Sequence, residues 1–249
     1  MKVEKNIGIF DSGIGGVTVL KEIIKILPYE NYIYYSDSKN NPYGDKTAEE
    51  ILNICDKIVQ YLLEKNCKAI VIACNTASAN AASFLRKKYP EIPIIAIEPA
   101  YKMVYDFAYD KSTLIMATKG TIESEKFNLL YNKYDNHKTY ILPCVGLAEI
   151  IENGDKKEIH KYLKESISIY KEKVENVVLG CTHYSLIQNE IKNIIGDVKF
   201  FNGAERLAIH LKNVLEDNSI LEYNKGEIQF IDSQNLKEKE NRFFQILKN

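Results

Sequence analysis

Two stretches of this chain are built alike: "VIACNTASAN" at 71–80 and "VVLGCTHYSL" at 177–186. In each, an apolar β-branched run stops at a cysteine and a helical pattern follows. The two cysteines, Cys74 and Cys181, are 107 residues apart. Short β-branched runs alternate with longer amphipathic ones along the whole chain, the pattern of an α/β fold. Strands are expected near 7–10, 32–35, 70–73 and 94–97, with helices near 16–27, 47–65 and 76–88 between them. The series restarts with strands near 114–117, 139–142, 177–180 and 198–201, and with helices near 121–133, 156–173, 184–195 and 204–216. Three of the four paired strand starts share the 107-residue offset, and the fourth is offset by 104. The pattern predicts two similar doubly wound parallel-sheet α/β domains with the active site in the cleft between them. Small and polar residues at the strand C-termini ("DSGIGG", "ACNT", "GCTHY", "FNGAE") stand where open α/β sheets place ligands. Residues 1–97 plus 210–249 would form the first domain, because the weak strand "EIQFIDS" and the last helix lack a counterpart in the second half. Residues 98–209 would form the second.

With 33 basic and 34 acidic residues the formal net charge is −1, so electrostatics gives no case for nucleic acid or membrane as a partner. No run approaches the ~18 apolar residues of a membrane span. The chain enters a short strand, "NIGIF", with no signal-peptide core before it. Five cysteines at irregular spacing argue for thiols rather than a disulfide framework. The expected address is the cytoplasm.

A thiol at a helix N-terminus sits beside unpaired N–H groups and the positive end of the helix dipole, which are expected to lower its pKa. Cys55, Cys67 and Cys144 read as buried apolar residues. Cys74 and Cys181 do not, because hydrogen-bonding neighbours flank them at ligand-facing strand ends: Asn75 and Thr76, Thr182 and His183. Two facing thiols, one from each half, can take a proton from one face of a stereocentre and return one to the other. Such an inversion needs neither metal nor cofactor, and none is expected. The junction would then be duplicated because the reaction is nearly mirror-symmetric.

Other motifs leave alternatives. "DSGIGG" follows a strand and opens a helix, but Thr18 stands where a dinucleotide fingerprint has its last glycine. It reads better as a ligand loop in which Ser12 donates a hydrogen bond. Asp11 would sit near Cys74, or act as a helix cap. "NPYG" at 41–44 is by itself a turn signal. Cys181 and His183 have a spacing poor for zinc, and a cysteine hydrolase using His183 as base would leave Cys74 unexplained. The three arginines (Arg86, Arg206, Arg242) lie outside every motif. An anionic ligand would therefore be held by helix N-terminal amides and by Ser12, Thr76, Thr118, Thr121 and Thr182. That suits a small carboxylate. A two-lobed carboxylate-binding protein without chemistry is the reading from another class, and it would need no thiols.

With DSGIGG, PYG, ACNTA and GCTHY in this order, the chain resembles the glutamate racemases of the wider aspartate/glutamate/hydantoin racemase group, from Ile7 to about residue 210. The resemblance implies a cofactor-independent enzyme making D-glutamate for peptidoglycan. It implies Cys74 as the base on the D face and Cys181 as the base on the L face. Asp11 would assist Cys74, while His183 and Glu152 would assist Cys181. Asp11, Ser12, Tyr43, Gly44, Asn75, Thr76, Thr182 and His183 would line the substrate. Ser185 replaces the group's usual proline, and Ala117-Thr118 its usual Gly-Thr, which leaves the roles of Thr118 and Thr121 open. No N-terminal extension of the kind found in precursor-activated racemases is seen, so that activation is not expected. L- or D-glutamate is the expected small-molecule partner, and a homodimer the expected assembly.

Overall fold

The apolar runs become strands covered on both faces: every residue of Cys67–Ile72 and of Asn176–Gly180 is buried, as a parallel sheet between helix layers requires. The structure, a computed structural model, describes residues 5–98 and 100–248. The first half runs β1 (Asn6–Asp11), α1 (Val17–Ile26), β2 (Asn31–Ser36), α2 (Ala48–Glu64), β3 (Cys67–Ile72), α3 (Asn75–Lys88) and β4 (Ile94–Ala96). The second runs α4 (Tyr101–Ala108), β5 (Thr113–Ala117), α5 (Lys119–Ile122), α6 (Glu125–Tyr134), β6 (Thr139–Pro143), α7 (Leu147–Asn153), α8 (Lys156–Ile167), β7 (Asn176–Gly180), α9 (Gln188–Ile195) and β8 (Lys199–Phe201). The chain closes with α10 (Ala204–Asp217), β9 (Ile228–Asp232) and α11 (Lys237–Lys248).

Among the described residues the strands form two sheets, ordered β4-β3-β1-β2-β9 and β6-β5-β7-β8. All neighbours run parallel. Read as β8-β7-β5-β6, the second order repeats the first four positions of the first, so the sequence repeat is a repeat of topology. Alternation along the strands feeds a core on each face: Ile7, Ile9, Ala69 and Val71 enter one cluster, Phe10, Ile70 and Ile72 the other. Helix α2 starts on a capping box between Thr47 and Glu50 and buries Ile51, Cys55, Ile58, Val59 and Leu62 at helical spacing. In the tail, β9 pairs with β2, α10 packs Leu207, Ala208, Leu211 and Leu215 into the core of α1, and Phe243 of α11 meets Tyr34 and Phe230, each with ring centroids 4.6 Å apart.

Several elements depart from the sequence-based expectation. Strand β3 begins at Cys67, ahead of the expected start, because Lys68 is buried with its Nζ 2.7 Å from Glu30 and so extends the strand despite its charge. The helix expected over 156–173 ends at Ile167 and passes into a short 3₁₀ turn, Ser168–Tyr170. Helices α4 and α7 lie outside the segments expected to be helical. The former is rich in aromatic residues, which are weak helix formers, and the latter is a short segment between Gly146 and Gly154, both left-handed (φ 75° and 78°).

Candidate active site

Both cysteines sit at strand C-termini, in equivalent places of the two sheets, but their junctions differ. Cys74 is the N-cap of α3, and its Sγ accepts a hydrogen bond from the Ala77 N–H at 3.5 Å. Cys181 directly follows β7, where the expected helix start is instead a 3₁₀ segment, Thr182–Ile187, ahead of α9. Three-residue winding puts Tyr184 and Ile187 on one buried face.

The helix N-terminus does not leave Cys74 with a lowered pKa. Burial, followed by the nearby charge of Asp11, outweighs the Ala77 amide and pushes the thiol up to about 12. Cys74 is therefore a thiol at neutral pH, placed to donate toward Ser12 Oγ at 3.9 Å. Asp11 is fully buried, and that burial raises its own carboxyl above the ordinary value. It accepts from the Gly13 amide at 3.1 Å and from the Thr182 hydroxyl, across the cleft, at 3.2 Å.

On the other side His183 is hydrogen-bonded at both ring nitrogens: Nδ1 lies 3.8 Å from Cys181 Sγ and Nε2 lies 2.5 Å from Glu152 Oε2. Burial alone would depress the imidazole, but Cys181 and Glu152 raise it well above its usual value. Burial would likewise raise Glu152, yet His183, and then Lys239, bring it down to about 2. The pair is thus imidazolium and carboxylate. Glu152 also accepts from the Ile14 amide at 3.1 Å and from Lys239 Nζ at 2.8 Å. The glycines of "DSGIGG" serve this contact: a Cβ at Gly13 would stand 2.4 Å from Glu152 Oε2, and one at Gly15 2.5 Å from His183 Nδ1. Their close approach is to the opposite half of the molecule.

One cavity between the two sheets is lined by Ser12, Tyr43, Gly44, Cys74, Asn75, Thr76, Thr118, Cys181 and Thr182. Asp11, His183, Glu152 and Thr121 stand behind that wall. Thr76, Thr118 and Thr121 close a ring of hydroxyls at 2.8, 2.9 and 3.3 Å. Tyr43 lies in a short 3₁₀ turn and donates to Asp37 at 2.6 Å, so "NPYG" is fixed from below. Sequence reasoning missed Lys119, Cys144 and Glu149 on the cavity wall, as well as Lys239 behind it; none belongs to a motif, and α7 itself went unread. A second cavity, of about 590 Å³, runs along edge strand β4 and carries none of the paired motifs. Among the described residues no three His, Cys, Asp or Glu side chains are grouped to hold a metal, and no helix is long and apolar enough to cross a membrane.

Known proteins share this fold. Residues 16–208 match the family model described as Asp/Glu/Hydantoin racemase. A glutamate racemase of Clostridium acetobutylicum is 43% identical over 240 residues, covering 94% of each chain. A solved glutamate racemase isoform of Bacillus anthracis superposes with a TM-score of 0.86 at 31% identity, over 98% of this chain and 94% of that one. The glutamate racemase of Francisella tularensis, solved in complex with D-glutamate, gives 0.83 at 30% identity, over 99% and 94%. Fold and likeness together make the chain an isomerase of two like α/β units. It belongs to the Asp/Glu/hydantoin racemase family, in the glutamate racemase group.

Proposed function

We propose that the chain interconverts L- and D-glutamate by a two-base transfer of the Cα proton between Cys74 and Cys181. The observation that carries this is the pair of thiols, from equivalent strand ends, on the wall of one cavity. Their surroundings suit the L-to-D direction. The imidazolium of His183 faces Cys181 Sγ at 3.8 Å, while burial and Asp11 keep Cys74 protonated. Cys181 thiolate takes the Cα proton of L-glutamate, the electron pair stays on Cα, and the Cys74 thiol delivers its proton to the opposite face. The D-to-L direction starts from the reverse protonation. Asp11 serves Cys74; His183, held by Glu152, serves Cys181. Substrate carboxylates and ammonium are held by Ser12, Tyr43, Gly44, Asn75, Thr76, Thr118, Thr121 and Thr182, with Asp11 and His183 beside them. The working units are residues 1–97 with 210–249, and residues 98–209, save that α10 packs as a whole against α1. The D-glutamate made in the cytoplasm would supply peptidoglycan, and the enzyme would act as a homodimer.

The test is conversion of L-glutamate in D₂O, stopped early. The D-glutamate formed carries deuterium at Cα while recovered L-glutamate carries little, and the labels swap when D-glutamate is the start. Protium retained in early product would sink the two-base reading. L-Aspartate run in parallel, followed by circular dichroism, checks the substrate, and Cys74→Ala and Cys181→Ala each abolish turnover.

A further inference from the structure

The C-terminal helix belongs to the first sheet by its packing, yet its polar face reaches the other half. Lys239 Nζ lies 2.8 Å from Ser38 Oγ, beyond β2, and 2.8 Å from Glu152 Oε1 on α7. One turn on, Arg242 donates to the carbonyls of Glu152 and, at 2.7 Å, of Ile151. We infer that Lys239 is a positioning residue for the reaction: it fixes Glu152 as the anion that keeps His183 cationic beside Cys181, and so sets the protonation of that side of the cleft. The inference rests on the proposed role of Cys181, but the charge states it names can be measured without turnover.

The geometry leaves Lys239 little other work. Glu152 has a side chain 3% exposed, and a buried anion needs compensating charge and hydrogen bonds. Its oxygens take three donors: the Ile14 amide, His183 Nε2 and Lys239 Nζ. Only two of these carry charge, and among the described residues they are the cations paired with it. The other charged or titratable groups around the cluster are Asp11 at the end of β1, Tyr34 on β2, Glu149 on α7, Cys181 after β7, and Asp37 and Asp232 on the Ser38 side. None is a cation. Arg242 is spent on backbone carbonyls. Without Lys239, the proton shared in the 2.5 Å contact shifts from His183 toward Glu152, because neutral acid and neutral imidazole are then the cheaper buried pair. Cys181 would lose the cation facing its sulfur. Because Lys239 also holds Ser38, the charge of His183 is tied to closure of the cleft.

The experiment uses the full chain as Lys239→Met and as Lys239→Arg. Side-chain ¹⁵N spectra of His183 at pH 7.5 show both ring nitrogens protonated in the wild type and in Lys239→Arg, and a neutral ring in Lys239→Met. Peptide-mapped alkylation by iodoacetamide slows about tenfold at Cys181 in Lys239→Met, which has lost the cation facing that sulfur, with Cys74 within about twofold. Racemisation kcat falls about tenfold with KM within about twofold, and Lys239→Arg restores it. A merely structural lysine would loosen the site and speed alkylation at Cys181. Should Lys239→Met not fold, Lys239→Gln drops the charge, keeps a donor, and carries the same readouts. An imidazolium at His183 and wild-type alkylation in a folded, uncharged variant would overturn the inference, whether or not the two-base reading stands.

Discussion

Burial and a neighbouring carboxylate hold Cys74 as a thiol, which has a direct chemical reading. Below its pKa, a thiol's alkylation rate rises about tenfold per pH unit. With Cys74 pushed up to about 12, the rate at Cys74 of the ligand-free enzyme should climb without levelling between pH 7 and 10. A plateau near pH 9 in peptide-mapped iodoacetamide kinetics would contradict the account. Glu152 works in the opposite sense. Its folded pKa of about 2 lies below its ordinary value of 4.5, so its contribution to stability is complete above pH 4.5 and is lost as pH falls from there toward 2. The contribution is on the order of 3 kcal/mol. Urea unfolding at pH 5, 4 and 3 should show wild type and Glu152→Gln converging as acid is added, and a constant gap would refute the pairing.

Arg242 shows what an element end requires. Helix α7 has only seven residues (Leu147–Asn153), and its last carbonyls have no partner within the helix. The guanidinium of α11 supplies donors and a positive charge at that negative end. Arg242→Ala should cost about 1–2 kcal/mol, read as a lower Tm, with Arg242→Lys recovering part of it. None of this was legible beforehand. The doubled strand–cysteine–helix pattern was readable because each strand and its following helix are local in sequence. So were the motif residues that reach the cavity, since they stand at strand ends. Two things escaped for physical reasons. Helix α7 is too short to show a period between its glycines, and the partnership of Lys239 and Arg242 with Glu152 joins residues about 90 apart through packing alone. The electrostatics at Cys74 misled in another way: a sequence reveals the helix dipole and hides the burial that defeats it.

At the scale of the molecule, the cavity between the thiols measures about 20 Å³, room for about one water. An amino acid enters only if the cavity wall moves. Contacts that span the gap lie at its two flanks, among them Thr76 with Thr118 and Thr121 on one, and Asp11 with Thr182 and Glu152 with Ile14 and Lys239 on the other. Saturating glutamate, at 100 times its Kd, should slow amide exchange in segments 41–46 and 144–149 by about a hundredfold through mass action. Unchanged exchange in those segments would mean that the cleft does not open for its ligand. The threonine ring has a consequence for an enzyme proposed to serve two mirror-image molecules. An arginine fork offers its donors in one fixed plane and would favour the hand that fits it. A hydroxyl swings its hydrogen about the C–O bond, so Thr76 and Thr118 can re-aim at either enantiomer while every heavy atom stays in place. A wall of rotors is impartial to handedness.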